Sequence, residues 1–365
     1  MFLSAGEPSG DLHGAPLVAA LRRRLPGVAI DALGGPRIAA AGATVRYPSE
    51  RYTVLGFAEV LSKLPAHWAL LRRLRRDFRA RRYDLLVALD YPGFNVRLAE
   101  AARGQGVKVL YYIAPKYWAS GARRSRRLAR AIDRLAVVFP FERDFFARFG
   151  VAAEYVGHPL LDRGPPPLRE AAREALGTAP EQRLLALFPG SRPQEIARLW
   201  PPFRAAARLL LGRGSCERVV VAAVAGGSYP DAGGLLLRYD DPATILAAAD
   251  AALVKSGTAT LEAALADVPL AVAYRLHWFT AWLARRLLTV PWISLVNLLA
   301  EAPVVEELLQ DEVRAERLAA ALEPLLARPS PAAARQREAF AGVRARLGGP
   351  GAAARTAELA ADLLR

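Results

Sequence analysis

Residues 251–262, Ala251-Ala252-Leu253-Val254-Lys255-Ser256-Gly257-Thr258-Ala259-Thr260-Leu261-Glu262, run from an apolar stretch through a small-residue turn into a helical pattern. A second stretch, Leu184-Leu185-Ala186-Leu187-Phe188-Pro189-Gly190-Ser191-Arg192, does the same. Strands that feed helices in this way are the joints of a parallel α/β sheet, and small residues there expose backbone N–H groups where the helix dipole is positive. Each junction is a place for an anion, above all a diphosphate. Neither carries the Gly-Lys-Ser/Thr of a P-loop or the Gly-x-Gly-x-x-Gly of a dinucleotide fingerprint, which favours a nucleotide-sugar over those ligands.

Working outward, short apolar runs alternate with helical patterns: Leu85–Leu89, Val107–Ile113, Leu135–Phe139, Leu184–Phe188, Val219–Val224, Ala251–Val254 and Leu270–Ala273. The class is α/β, built from repeated strand-helix units. Gly164-Pro165-Pro166-Pro167 is stiff and incompatible with a helix, so it reads as an interdomain linker. Domains are therefore expected over 1–163 and 164–345, followed by a segment 346–365 that includes a helix over Ala352–Arg365. From about Glu301 the chain is rich in Ala, Leu, Arg and Glu at helical spacing.

At 365 residues and 53% hydrophobic content, two ordinary cores can be buried. No apolar run approaches the roughly 18 residues that span a bilayer, and the start lacks the basic region of a signal peptide, so a cytoplasmic location is expected. One cysteine, Cys216, and four histidines without clustering predict no disulfide, no metal and no cofactor. The net charge of +15 points to an anionic partner: a phosphorylated substrate, anionic lipid or nucleic acid. Only four of the fifty basic residues are lysine, so coding bias toward arginine is an equally good account. No nucleic-acid module accompanies the arginines, and nucleic acid is not the expected partner.

Two segments join aromatic and basic residues. Phe57, Val60, Leu61, Leu64, Trp68, Leu71, Leu74 and Phe78 recur at helical spacing among Arg72, Arg73, Arg75 and Arg76, with Pro65 expected to break or kink the helix. Tyr274–Arg286 contains Trp278, Phe279 and Trp282 before Arg285 and Arg286. Each reads either as an interfacial membrane helix or as an amphipathic helix packed on its own sheet. Arg123-Arg124-Ser125-Arg126-Arg127 reads as a solvated face.

Asp90 ends the run Leu85–Leu89 and enters the turn Tyr91-Pro92-Gly93-Phe94-Asn95. At the carboxyl end of a parallel strand its carboxylate can take a proton from an attacking hydroxyl; it can equally cap the turn. Ser4-Ala5-Gly6-Glu7-Pro8-Ser9-Gly10-Asp11 allows close backbone approach to a substrate, or is a plain turn. Arg192 can pair with a phosphate as a leaving group gains charge, or merely open a helix. Glu262, one turn beyond Thr258, reaches toward a ribose beside a bound diphosphate, or faces solvent.

Taken together, these motifs resemble those of the lipid-A-disaccharide synthases. The stretches that carry the resemblance are Ser4–Asp11, Leu55-Gly56-Phe57-Ala58-Glu59-Val60-Leu61, Asp90–Asn95, Phe139-Pro140-Phe141-Glu142, Val156-Gly157-His158-Pro159, Pro189–Arg192, Ser256–Glu262 and Ser294-Leu295-Val296-Asn297, in the family's order along nearly the whole chain. The resemblance implies a GT-B glycosyltransferase: two Rossmann-like domains facing across a cleft, with the C-terminal helix returning to the first. It implies transfer of 2,3-diacylglucosamine from its UDP derivative to 2,3-diacylglucosamine 1-phosphate without a metal, giving a β(1→6) disaccharide and UDP. The partners are then the UDP-sugar donor, the acylated sugar phosphate acceptor and the anionic inner face of the cytoplasmic membrane. A homodimer is among the assemblies the sequence allows.

By the same resemblance Asp90 and Arg192 are catalytic, and Gly190, Ser191, Arg192, Ser256, Gly257, Thr258, Ala259, Glu262 and Asn297 hold the donor UDP. Gly6, Glu7, Ser9, Gly10, Asp11, Asn95, Trp118 and His158 line the acceptor side or the cleft. Phe57, Leu61, Leu64, Trp68, Arg72, Arg73, Trp278, Phe279 and Trp282 meet the membrane. The chain departs from the family pattern at Ala114, Lys116 and Ser120, where Ser-Pro-x-x-Trp-Ala-Trp is usual, at Val296 in place of proline, and at Lys255, where a small residue is common. These departures leave other activities on the same fold to be weighed: a related glycolipid transferase, a UDP-N-acetylglucosamine epimerase, or a non-catalytic nucleotide-sugar-binding protein.

Overall fold

Seven parallel strands form the first sheet of the computed structural model, which describes residues 1–52, 57–239, 242–277, 286 and 290–365, with backbone alone over 57–62. They are β1 (Phe2–Ser4), β2 (Asp31–Gly34), β3 (Thr44–Pro48), β4 (Leu85–Leu89), β5 (Lys108–Tyr112), β6 (Arg134–Val137) and β7 (Ala153–Tyr155), in the order β3-β2-β1-β4-β5-β6-β7. The second sheet has six strands in the order β10-β9-β8-β11-β12-β13: β8 (Leu184–Phe188), β9 (Arg218–Ala222), β10 (Leu236–Arg238), β11 (Ala251–Lys255), β12 (Leu270–Tyr274) and β13 (Glu307–Leu309). Every strand pair is parallel. The central strands β4 and β8 are buried along their whole length, as helices on both faces of a parallel sheet require.

In both sheets the order reverses beside the first strand, between β1 and β4 and between β8 and β11. Such switch points open a crevice at the carboxyl ends of the two strands, so sheet topology alone nominates two places for ligands.

The chain divides into two compact units, Met1–Arg163 with Leu347–Arg365, and Gly164–Arg346. The C-terminal helix Ala352–Leu364 is fastened into the first unit at its start, where the Asp162 carboxylate accepts the N–H groups of Gly351, Ala352 and Ala353 at 2.5, 3.2 and 2.9 Å. These are donors that a helix cannot satisfy internally. Tyr155 donates to the carbonyl of Leu347 at 2.7 Å, and Arg355 Nε to that of Val156 at 2.7 Å.

Two expectations change. The helix Phe57–Arg79 is not broken at Pro65, because a proline deletes one backbone bond while the turns on either side keep theirs. The region after Glu301 is not helical throughout: β13 pairs with β12, burying Leu308 between the partly exposed Glu307 and Leu309. The side chains of Phe57 and Leu61, and Trp278, Phe279 and Trp282 altogether, lie outside the described residues.

Candidate active site

At the switch point of the first sheet the chain bends sharply. Asp90 and Tyr91 have φ of +44° and +51°, and Ile113, just past β5, has φ of +63°. Non-glycine residues rarely hold this conformation, and it concentrates where surrounding structure enforces it, commonly at functional sites. Here the enforcement is visible. Tyr111 donates its hydroxyl to the Asp90 carbonyl at 2.6 Å, and the Asp90 N–H bonds the Tyr112 carbonyl at 3.0 Å. The Asn95 amide donates to the carbonyls of Asp90, Leu89 and Ser4 at 2.8, 3.1 and 3.2 Å and accepts the Ser4 hydroxyl at 2.6 Å. Asn95 is therefore a buried clamp between β1 and β4 that fixes the turn carrying Asp90.

The Tyr91 ring lies against Gly6, where an added Cβ would stand 2.4 Å from a ring carbon. That glycine is required by close approach. His67 Nδ1 donates to the Lys63 carbonyl at 2.8 Å, leaving Nε2 to accept the Tyr91 hydroxyl at 2.6 Å. Burial, with Glu7 nearby, pushes the Tyr91 phenol up to about 12 and keeps it a neutral donor. Glu7 is half-buried, Ser9 exposed and Gly10 buried at the start of the helix Pro8–Arg24. Asp11 has a different occupation: its carboxylate accepts the N–H groups of Gly35, Arg37 and Ile38 at 2.9, 3.1 and 3.0 Å, capping the helix Pro36–Ala40.

Farther along the same sheet edge, Trp118 Nε1 donates to Glu142 at 2.9 Å, and Glu142 also accepts the N–H groups of Val138 and Phe139, each at 3.1 Å. Burial outweighs these bonds and pushes the Glu142 carboxyl up to about 7. His158 packs on Phe139 with ring centroids 5.1 Å apart, and its Nδ1 accepts the Leu160 N–H at 3.2 Å. Burial, with His13, Arg163 and Lys116 close by, lowers His158 to about 3, so it is neutral at physiological pH.

In the second unit the two glycine junctions come together. β11 pairs directly with β8, Val254 opposite Phe188, so Gly190-Ser191-Arg192 and Ser256-Gly257-Thr258 leave the carboxyl ends of adjacent strands. Gly190 has φ of +129° and Gly257 φ of +156°, which other residues rarely adopt. Arg192 and Thr258 are exposed, Ala259 and Glu262 half-buried, and the helices Pro193–Gly212 and Thr258–Leu265 start at these loops. Ser256 is buried, its hydroxyl donating to the Ile293 carbonyl at 2.9 Å.

That bond ties the junction to the stretch containing Asn297. The Asn297 amide donates to the Val305 carbonyl and to Glu307, each at 2.9 Å, and accepts the Val305 N–H at 2.9 Å. Glu307 also accepts the N–H groups of Ile293 and Ser294 at 2.9 Å. Asn297 and Glu307 thus hold the floor on which Ser256 rests. A cavity of about 830 Å³ lies beside this knot, lined by Asn297 and Glu307 among others, but no residue of either glycine junction lines it.

Sequence reasoning missed Glu195. It stands in the first turn after Gly190, half-buried, and its carboxylate accepts the Ser191 N–H at 3.2 Å and pairs with Lys255 at 2.9 Å. Burial alone would raise its carboxyl, but Lys255, the Ser191 N–H and Arg192 together hold it below the usual range. The available signal was an acidic residue in the first turn of a helix, which is too common to stand out.

The sequence model of a family described as lipid-A-disaccharide synthetase matches residues 1–344. A relative from Anaeromyxobacter sp. (strain K), named lipid-A-disaccharide synthase, is 41% identical over 376 residues, covering 100% of this chain and 97% of its own. Among solved structures, the calicheamicin glycosyltransferase CalG4 is 20% identical with a TM-score of 0.61, covering 100% of this chain and 98% of that one. A UDP-GlcNAc 2-epimerase from Neisseria meningitidis, bound to UDP-GlcNAc, is 9% identical with a TM-score of 0.66 over 100% and 98% of the two chains. At such identities the structural likeness establishes the fold, GT-B, whereas the match in sequence extends along the whole chain.

Proposed function

The chain belongs to the lipid-A-disaccharide synthetase family of glycosyltransferases, and on that premise we propose that it moves 2,3-diacylglucosamine from its UDP derivative to 2,3-diacylglucosamine 1-phosphate, forming the β(1→6) disaccharide and UDP. The observation that carries the reading is the meeting of the two glycine junctions on adjacent strands of a chain whose residues 1–344 match the family model.

In this reading the second unit holds the donor. Backbone N–H groups around Ser191 and those of Gly257 and Thr258 receive the diphosphate, while the Ser256 N–H stays bonded to the Ala273 carbonyl and Glu262 holds the ribose. The first unit serves the acceptor. Asp90 accepts the proton of the acceptor hydroxyl as that oxygen bonds to the anomeric carbon, and the bond from that carbon to the diphosphate oxygen breaks on the opposite face, inverting the centre. Arg192 and the junction N–H groups take up the charge that develops on UDP. Asn95, Tyr111 and Gly6 act by positioning, since each supports the strained turn at Asp90 and Tyr91.

An acylated substrate must be drawn from a lipid surface. Leu64 and Trp68 are 43% and 57% exposed, and Arg72 lies over the Trp68 ring with its guanidinium carbon 5.3 Å from the centroid. Exposed apolar groups flanked by Arg72 and Arg73 suit the headgroup region of an anionic membrane. Among the described residues no helix is long and apolar enough to cross a membrane.

Asp90→Asn tests the assignment of the base. Turnover should fall by about two or more orders of magnitude while UDP binding by titration calorimetry is retained. Undiminished turnover would remove Asp90 from the mechanism.

A further inference from the structure

The carboxylate of Glu195 bridges the two junctions. One oxygen accepts the N–H of Ser191, three residues beyond β8, and the other pairs with Nζ of Lys255, the last residue of the neighbouring β11. The fit depends on Gly190, because a Cβ there would stand 2.8 Å from Glu195 Cβ and 2.9 Å from its Oε2. Lys255 is steadied by the Tyr274 ring, whose centroid lies 5.6 Å from Nζ, and both charged side chains are about four-fifths buried, at 20% and 19% exposure. A two-oxygen anion thus already satisfies a backbone donor from one junction and a cation from the next.

We propose that Lys255 is a further leaving-group residue and that Glu195 is an internal occupant of its site: the donor's diphosphate displaces the Glu195 carboxylate and takes over both Ser191 N–H and Lys255. This rests on the donor assignment made above. A diphosphate offers more charge and more acceptor oxygens than one carboxylate, so the exchange runs toward the ligand while the resting protein leaves neither a largely buried ammonium nor the Ser191 N–H without an anion. No covalent step is involved.

Calorimetric titration with UDP and with uridine separates the possibilities. Lys255→Ala should weaken UDP about tenfold or more while uridine changes less than about twofold, since uridine has no phosphate to lose. Glu195→Gln, which keeps shape and removes charge, should tighten UDP severalfold, a direction that a folding defect cannot produce. Lys255→Ala also leaves Glu195 charged beside the ligand, so the double variant decides the role of the lysine. UDP binding weaker than wild type in the double variant is the expected result; full recovery means Lys255 only neutralises Glu195 and overturns the proposal. Unchanged UDP affinity in Lys255→Ala, or weaker binding in Glu195→Gln, overturns it as well. Wild-type protein that binds no UDP sinks the donor assignment itself, and this inference with it.

Discussion

Tyr91 and Gly6 show how the geometry at Asp90 is built from a distance. Gly6→Ala would drive a methyl into the Tyr91 ring and should cost about 1–3 kcal/mol of stability. It should also lower turnover by displacing a turn that contains Asp90, and turnover together with a denaturant curve checks both effects. His158 gives a pH dependence. Its native value of about 3 lies below the ordinary 6.5, so between these the unfolded chain binds a proton that the native chain refuses. Stability should therefore fall as pH drops through that window, by about 1.4 kcal/mol per unit near its middle. Urea midpoints at pH 7.5 and 5 should show a smaller acid loss in His158→Asn than in wild type. Asp90 was legible in the sequence because it ends an apolar run. The occupations of Asp11, Asn95 and Asn297 were not: most of their partners are backbone groups, and the fold brings some of these from far along the chain, 91 residues away for Ser4 and Asn95. Asn297→Ala, which strips three bonds from a fully buried knot, should destabilise the second unit by about 1–3 kcal/mol for each backbone group left unsatisfied.

The helix Phe57–Arg79 carries buried and exposed apolar residues along its length. Leu70, Leu71, Leu74 and Phe78 are buried in the first core, so the packed-helix reading holds for its second half. Leu64 and Trp68, nearer its start, remain exposed. Trp68→Glu should therefore leave the melting temperature nearly unchanged while reducing sedimentation with vesicles containing anionic phospholipid; undiminished sedimentation would move the membrane contact elsewhere. Spacing could not separate the two halves, because buried and exposed apolar residues share one helical period. Among the strands, the five-residue apolar runs of β4 and β8 and the four-residue run of β11 stood out in sequence. The edge strands β3, β7 and β10 did not, since none is fully buried and polar residues interrupt their pattern, and β7 and β10 are only three residues long.

The chain leaves its first unit at Arg163 and re-enters it at Leu347, so that unit is completed only by the last residues. A chain ending at Arg346 should show faster amide exchange in β5 and the helix Pro8–Arg24, against which the C-terminal helix packs, while the second unit keeps its protection. The doubly wound order was implied by alternating runs and by resemblance, but the neighbourhood of β8 and β11, separated by more than sixty residues, is a property of the sheet. In the proposed reaction that neighbourhood makes the two glycine turns one anion site with a UDP-sugar as its occupant. The most direct test is mass spectrometry of the products formed from UDP-2,3-diacylglucosamine and 2,3-diacylglucosamine 1-phosphate. The account predicts a tetra-acylated disaccharide 1-phosphate with one equivalent of UDP, and its loss in Asp90→Asn. UDP binding without any disaccharide, or with free sugar as the only product, would contradict it.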